Sequence, residues 1–197
     1  MSADDRARAD AVYETLLQRQ GEQWVQPRVE RTRRALELLA DPQHTYRVVH
    51  VTGTNGKTST SRIIESLLRA HGLRTGMFTS PHLQRFTERV MIDGAPIEDA
   101  AIADAWDEIE PVIGLVDAEL AAAGDAPLTF FELLTVLAFV AFADAPVDVA
   151  VIEVGMGGAW DSTNTADGDV AVFAPIDLDH ADRLGNTIAE IATVKAG

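Results

Sequence analysis

The stretch Tyr46–Thr60, YRVVHVTGTNGKTST, decides the fold. Its first part, Tyr46–Val51, is short and rich in β-branched residues, which predicts a strand. The glycine-bearing loop Thr52-Gly53-Thr54-Asn55-Gly56-Lys57-Thr58 follows at once. Residues Ser59–Ala70 then read as a helix, with Ile63, Ile64, Leu67 and Leu68 on its buried side and His71-Gly72 as its end. A second strand is expected over Arg74–Thr79. Strand, loop, helix and strand in this order make a βαβ unit.

The loop has a direct chemical logic. Glycines let backbone N–H groups turn around oxyanions, and the following helix adds its N-terminal N–H groups. Lys57 is placed to reach the β- and γ-phosphates of ATP, and the Thr58 hydroxyl to sit on Mg²⁺. Gly53, Thr54, Asn55, Gly56 and Ser59 form or flank the cradle. The pattern departs from Gly-x-x-x-x-Gly-Lys-Thr, because residue 51 is Val and the first glycine is Gly53. The competing reading is a structural turn with an exposed lysine; the flanking strand and helix favour the nucleotide.

Outward from this unit, residues 10–40 read as mainly helical, with a break at Gly21–Pro27 and an end near Asp41-Pro42. Val90–Ile97 reads as a hairpin around Asp93-Gly94. Glu98–Ala123 is helical in composition with a possible kink at Pro111, and Thr129–Ala143 is a more apolar helix, expected to pack on the sheet. Asp148–Val154 and Asp169–Ala174 read as strands, the first fully buried. A short helix is expected over Thr187–Lys195. The fold class is α/β: a three-layer, P-loop NTPase-like domain with a mostly parallel central sheet and flanking helices. Residues 1–44 are expected to form a helical extension packed on an ATP-binding domain over 45–197.

Composition narrows the function. The 197 residues include no Cys, which excludes disulfides, thiol catalysis and Cys-based zinc sites. No secretory h-region and no 18-residue apolar run is found, so a cytoplasmic protein without a membrane partner is expected. The formal charge is −15, and no Lys or Arg lies between Val90 and Asp182. A general nucleic-acid surface is therefore excluded, because phosphate backbones need cationic partners. The two lysines are Lys57 and Lys195.

Val51–Thr60 resembles the ATP loop of the Mur ligase superfamily. Thr79–Leu83 (TSPHL), Arg85-Phe86, Glu88-Arg89, Phe131–Thr135 (FELLT), Glu153–Asn164 (EVGMGGAWDSTN), Leu178-Asp179-His180 with Leu184-Gly185, and Lys195-Ala196-Gly197 narrow it. In this order they resemble the folylpolyglutamate synthase/dihydrofolate synthase family. The resemblance implies an ATP-dependent amide ligase: ATP phosphorylates a carboxylate of dihydropteroate or of a folate, and the amine of L-glutamate attacks the acyl phosphate. A monomer is expected. It also implies a C-terminal glutamate-ligase domain beyond this chain, and poor turnover by residues 1–197 alone. A peptidoglycan-type Mur ligase and a nucleotide-binding module without ligase activity are the alternatives.

The candidate site residues follow. Lys57, Glu153, His180 and Lys195 are the catalytic candidates. Glu153 ends an apolar strand, where a carboxylate is costly unless paired or beside a site. Alone, His180 reads as an ordinary loop histidine, Ser80 as a turn residue before Pro81, and Lys195 as a free lysine. The resemblance implies Mg²⁺ ligation by Thr58, Ser80, Glu153 and His180, and by Lys195 in carbamylated form, although Val194 stands where the family usually has Glu. Ser80, Pro81, His82, Arg85 and Phe86 are the candidate substrate contacts. Phe78, Phe86 and Phe131 either border a pterin or belong to the core. Gly155, Gly157 and Gly158 are expected in tight backbone geometry, braced by Asp161, Thr163 and Asn164. Ala159 stands where the family commonly has Arg, and Trp160 reads as loop packing.

Overall fold

A computed structural model describes residues 2–21 and 28–197. Residues 22–27, most of the expected break at Gly21–Pro27, lie outside the described residues. In chain order the elements are α1 (Ala3–Leu17), α2 (Val29–Leu38), β1 (Arg47–Thr52), α3 (Lys57–Ala70), β2 (Thr75–Phe78), β3 (Val90–Ile92) and β4 (Ala95–Pro96). Then come α4 (Asp99–Ala122), α5 (Phe130–Asp144), β5 (Val149–Glu153), β6 (Val170–Phe173), α6 (Ala181–Leu184) and α7 (Ile188–Ala196). Among the described residues, the strands form one sheet in the order β4-β3-β2-β5-β1-β6. The pairs β2/β5, β5/β1 and β1/β6 are parallel; β2/β3 and β3/β4 are antiparallel. The antiparallel hairpin turns at Asp93 and Gly94, both at positive φ, as a type I′ turn requires.

The period-2 alternation of the strands divides the core. Val48, Phe78, Ala150 and Ile152 face one layer; Val51, Met77 and Val151 face the other. The first face packs on α5, which buries Phe130 and every position from Glu132 to Phe142. A helix apolar on all sides needs cover on all sides. The sheet covers one side of α5, and α4, α2 and α1 cover the rest, with Ala9, Val12, Leu16, Ala35 and Leu36 in the same core. Helices α1 and α2 thus share the main hydrophobic core. Arginines on α1, just after it and on α2 also tie to α4: Arg8 to Asp104 and Asp107, Arg19 to Asp117, and Arg34 to Glu119. Helix α4 continues through Pro111.

Helix α3 covers the second face, one residue out of register with the sequence expectation. Ile64 and Leu68 pack on the sheet, but Ile63 and Leu67 are 61% and 58% exposed. Ser61 and Glu65 are buried instead. The inward stripe is Ser61, Ile64, Glu65 and Leu68, a regular i, i+3, i+4, i+7 set. Glu65 is held there by Thr75 Oγ1 at 2.6 Å and Arg69 Nε at 3.0 Å. These bonds offset the cost of burying its carboxylate.

Phe139 is fully buried in the α5 layer. Phe139→Ala is expected to destabilise the protein by about 3–5 kcal/mol, whereas Ile63→Ser should stay within about 0.5 kcal/mol. Urea denaturation of both variants checks this; equal losses would contradict the assigned register of α3.

Candidate functional site

Parallel pairing places the carboxyl ends of β1, β5 and β6 side by side, with Val51 level with Glu153 and Thr52 level with Phe173. Open α/β sheets bind ligands at such an edge. The loop after β1 leads into α3. Gly53 has φ +145°, and a Cβ there would lie 2.7 Å from the Ala174 Cβ, so only glycine fits beside the end of β6. Gly56, at φ +79°, starts α3. The N–H groups of Thr54 and Asn55 are not aimed at a ligand. Both donate to the Pro175 carbonyl, at 2.9 and 3.2 Å. The first intrahelical bond runs from Thr60 N to Gly56 O, so the N–H groups of Lys57, Thr58 and Ser59 form the helix end that can receive an anion.

The Thr58 hydroxyl sits against both oxygens of Glu153, at 3.1 and 2.9 Å. Glu153 is 3% exposed. Burial raises its pKa, countered by the Thr58 hydrogen bond, the charge of Lys57 and the backbone N–H of Ser80. Lys57, Ser80, Pro81, Glu153 and His180 line one cavity of about 580 Å³. His180 adopts φ +48°, the left-handed region that is costly for a side-chain residue, with Asp179 Oδ2 3.6 Å from its Nε2.

Phe131, Trp160, Glu132, Asp161, Asp182 and Arg183 line the same cavity. Its aromatic walls rest on the glycine loop. A Cβ at Gly155 would lie 2.5 Å from the Phe131 ring, and one at Gly157 2.5 Å from the Trp160 indole. Trp160 therefore packs on the loop and still borders the cavity. Phe78 is fully buried behind Phe131, with ring centroids 5.8 Å apart. Arg183 and Asp182 carried no sequence signal beyond lying inside the Leu178–Gly185 segment. Glu132 forms a capping box with Thr129 at the start of α5.

Three of the candidate substrate contacts face elsewhere. His82 Nδ1 accepts from Arg89 Nε at 2.8 Å, and its Nε2 lies 3.3 Å from Tyr13 Oη. Phe86 is 2% exposed and stacks on Tyr13 at 5.1 Å. Arg85 reaches Asp99 at 2.9 Å and Asp10 at 3.5 Å. They brace the Ser80-Pro81 loop against α1 and the start of α4, His82 and Phe86 through Tyr13 and Arg85 through Asp10 and Asp99.

Lys195 is 7% exposed and donates from Nζ to the Gly53 carbonyl at 3.0 Å. Burial and the charge of Lys57 lower its pKa. The backbone of α7 also closes on Gly158, where a Cβ would lie 2.5 Å from Val194 O. Helix α7 thus touches both the phosphate loop and the glycine loop. Among the described residues, no three His, Asp or Glu side chains converge as a preformed metal cage. The Glu153 carboxylate, Thr58 hydroxyl and Ser80 supply hard oxygen donors. That set fits Mg²⁺, which is commonly bound through one or two carboxylates and the phosphates of a nucleotide.

The raised Glu153 pKa has a stability consequence. The fold binds this proton more tightly than the unfolded chain does. That contribution is fully present below the unfolded pKa and is lost as pH rises through the folded one. Glu153→Gln is therefore expected to melt above the parent protein at pH 7 and to lose that advantage towards pH 4. Thermal melts at the two pH values check this, and a lower melting temperature at pH 7 would contradict it.

No protein-family model matches the chain. It is 48% identical over 197 residues to the dihydrofolate synthase/folylpolyglutamate synthase of Mycobacterium tuberculosis, covering 98% of this chain and 40% of that protein. It is 44% identical over 150 residues to the Escherichia coli K12 dihydrofolate synthase/folylpolyglutamate synthase, covering 76% of this chain and 33% of that protein. The structure of Mycobacterium tuberculosis folylpolyglutamate synthase complexed with ADP superposes with a TM-score of 0.90 at 47% identity, over 98% of this chain and 42% of that one. A folylpolyglutamate synthase–AMPPCP–folate complex does so with a TM-score of 0.81 at 43% identity, over 87% of this chain and 41% of that one. The chain thus spans about a third to two fifths of the length of these relatives. Over that span the chain is homologous to the folylpolyglutamate synthase/dihydrofolate synthase family and has its Mur-ligase-like ATPase fold.

Proposed function

We propose that this segment holds ATP and the acceptor carboxylate of an amide ligase that adds L-glutamate to dihydropteroate or a folate. One observation carries the reading: Lys57 and Glu153 share a single cavity with the aromatic walls Phe131 and Trp160. The first pair suits a nucleoside triphosphate, and the second suits a flat heteroaromatic acceptor. Residues 45–197 act as the ATP-binding unit, with residues 1–44 packed on it.

In this reading the N–H groups at the start of α3 and the Lys57 ammonium bind the β- and γ-phosphates. They offset charge on the phosphoryl group as it passes to the acceptor carboxylate. Thr58, Glu153 and Ser80 would hold Mg²⁺, which would neutralise phosphate charge. The carboxylate oxygen takes the γ-phosphoryl group and ADP leaves; the glutamate amine then attacks the acyl carbon, gives up a proton and expels phosphate, a good leaving group. His180, on the cavity wall, is a further candidate metal or phosphate contact.

A carbamate on Lys195, formed from CO₂ and the neutral amine, is supported by the lowered basicity of this buried lysine. In the free-amine form its partner is the Gly53 carbonyl. Modification would replace a bond to the phosphate loop with a carboxylate beside it.

Removing a charge-assisted contact to phosphate costs about 1.5–3 kcal/mol. Lys57→Met is therefore expected to weaken Mg-ADP binding by at least about tenfold in calorimetry. Trp160 emission should respond to dihydropteroate or folate and not to a muramyl-peptide precursor. A response to the muramyl compound alone would move the assignment to a peptidoglycan ligase.

A further inference from the structure

Strand β1 carries two polar side chains on one face, His50 and Thr52, and both reach the loop after β5. Thr52 Oγ1 lies 3.5 Å from Gly157 O, and His50 Nε2 lies 2.8 Å from Thr163 Oγ1. Thr163 Oγ1 is in turn 2.6 Å from Asp161 Oδ1. Asp161 is 4% exposed and takes two backbone N–H groups, from Thr163 at 3.0 Å and Met156 at 2.8 Å.

Both Asp161 oxygens accept backbone bonds, and Oδ1 accepts the Thr163 hydroxyl proton as well. The Thr163 oxygen is then left as an acceptor, so His50 donates to it from Nε2–H. Burial lowers the His50 pKa to about 4, which leaves a neutral ring whose tautomer this bond selects. The chain passes close by: a Cβ at Gly168 would lie 3.2 Å from the His50 Cβ.

We propose that His50 is a positioning residue for the cavity: from the strand that carries the phosphate loop, it holds Thr163, and through Thr163 the Asp161 carboxylate that shapes the Gly155–Asp161 wall. Met156, Trp160 and Asp161 line the cavity from that wall. The phosphate loop and the acceptor wall are therefore braced from one strand. His50 itself touches neither ligand region.

Hydrogen exchange followed by NMR on residues 1–197 tests the clamp without any ligand. In His50→Phe, the Met156 and Thr163 amides should exchange about tenfold faster while β2 and α5 amides keep their protection. His50→Gln carries an N–H near the Nε2 position and should restore loop exchange to within about threefold of the parent, given that hydrogen bond. Thr163→Val removes the hydroxyl at nearly constant volume and should mimic His50→Phe; it carries the test if the phenylalanine variant does not fold. Unchanged loop exchange, equal acceleration throughout the protein, or failure of glutamine to rescue would overturn the proposal.

A second arm rests on the proposed function. His50→Phe should weaken dihydropteroate or folate binding about tenfold with Mg-ADP affinity unchanged, the size of one lost polar contact. Absence of acceptor binding in the parent protein would sink the functional reading and leave the exchange result to decide the clamp.

Discussion

The parallel pairing of β1 between β5 and β6 is the constraint on which the molecule depends. It sets three strand ends at one edge, so that three loops distant in sequence share one space. The phosphate loop, the glycine loop and the segment leading to His180 all begin there. Parallel strands cannot be joined by tight turns, so each return needs a crossover. Helix α3 makes the crossover from β1 to β2 on one face, the α4–α5 layer serves the return to β5 on the other, and the loop over residues 154–169 leads from β5 to β6.

The edge is held by polar bonds between backbones and buried side chains. Pro175 O takes two N–H groups of the phosphate loop, Gly53 O takes Lys195, and Glu153 takes the Thr58 hydroxyl. Glu153, Asp161 and Lys195 all carry pKa shifts driven first by burial. These groups cost stability in the fold alone. The cost is offset by the apolar sheet and α5 beneath them, and it is the kind of local expense expected where charged ligands must be received.

Much of this was legible in the chain. The β-branched run before Thr52, the glycines of the phosphate loop, the apolar α5 and the strand ending at Glu153 each follow a local rule, and each appears within a residue or two of its expected bounds. Lys57, Ser80, Pro81, Glu153 and His180, each singled out in the chain, line one cavity. The misplacements have a common cause. Ile63 and Leu67 were read inward because helical periodicity cannot tell which of two adjacent stripes meets the sheet. Glu65, reaching Thr75 on β2, settles it. His82, Arg85 and Phe86 lie next to Ser80 in sequence but turn to Tyr13, Asp10 and Asp99. Helix α1 lies dozens of residues away and Asp99 opens another helix, and nothing local announces either pairing.

The sequence by itself determined the α/β class, the phosphate-binding loop and the carboxylate at the end of β5. These depend on short-range rules: strand alternation, positive-φ glycines and the cost of an unpaired acid at an apolar strand end. Only the tertiary structure decided which face of α3 is buried, that Thr54 and Asn55 turn their N–H groups to Pro175, and that His50 reaches the Asp161 loop through Thr163. Those choices join groups more than a hundred residues apart in sequence, or depend on which neighbour a strand pairs with, and a hydrogen bond reaches only about 3 Å. Such contacts exist only once the sheet order has brought the strand ends together.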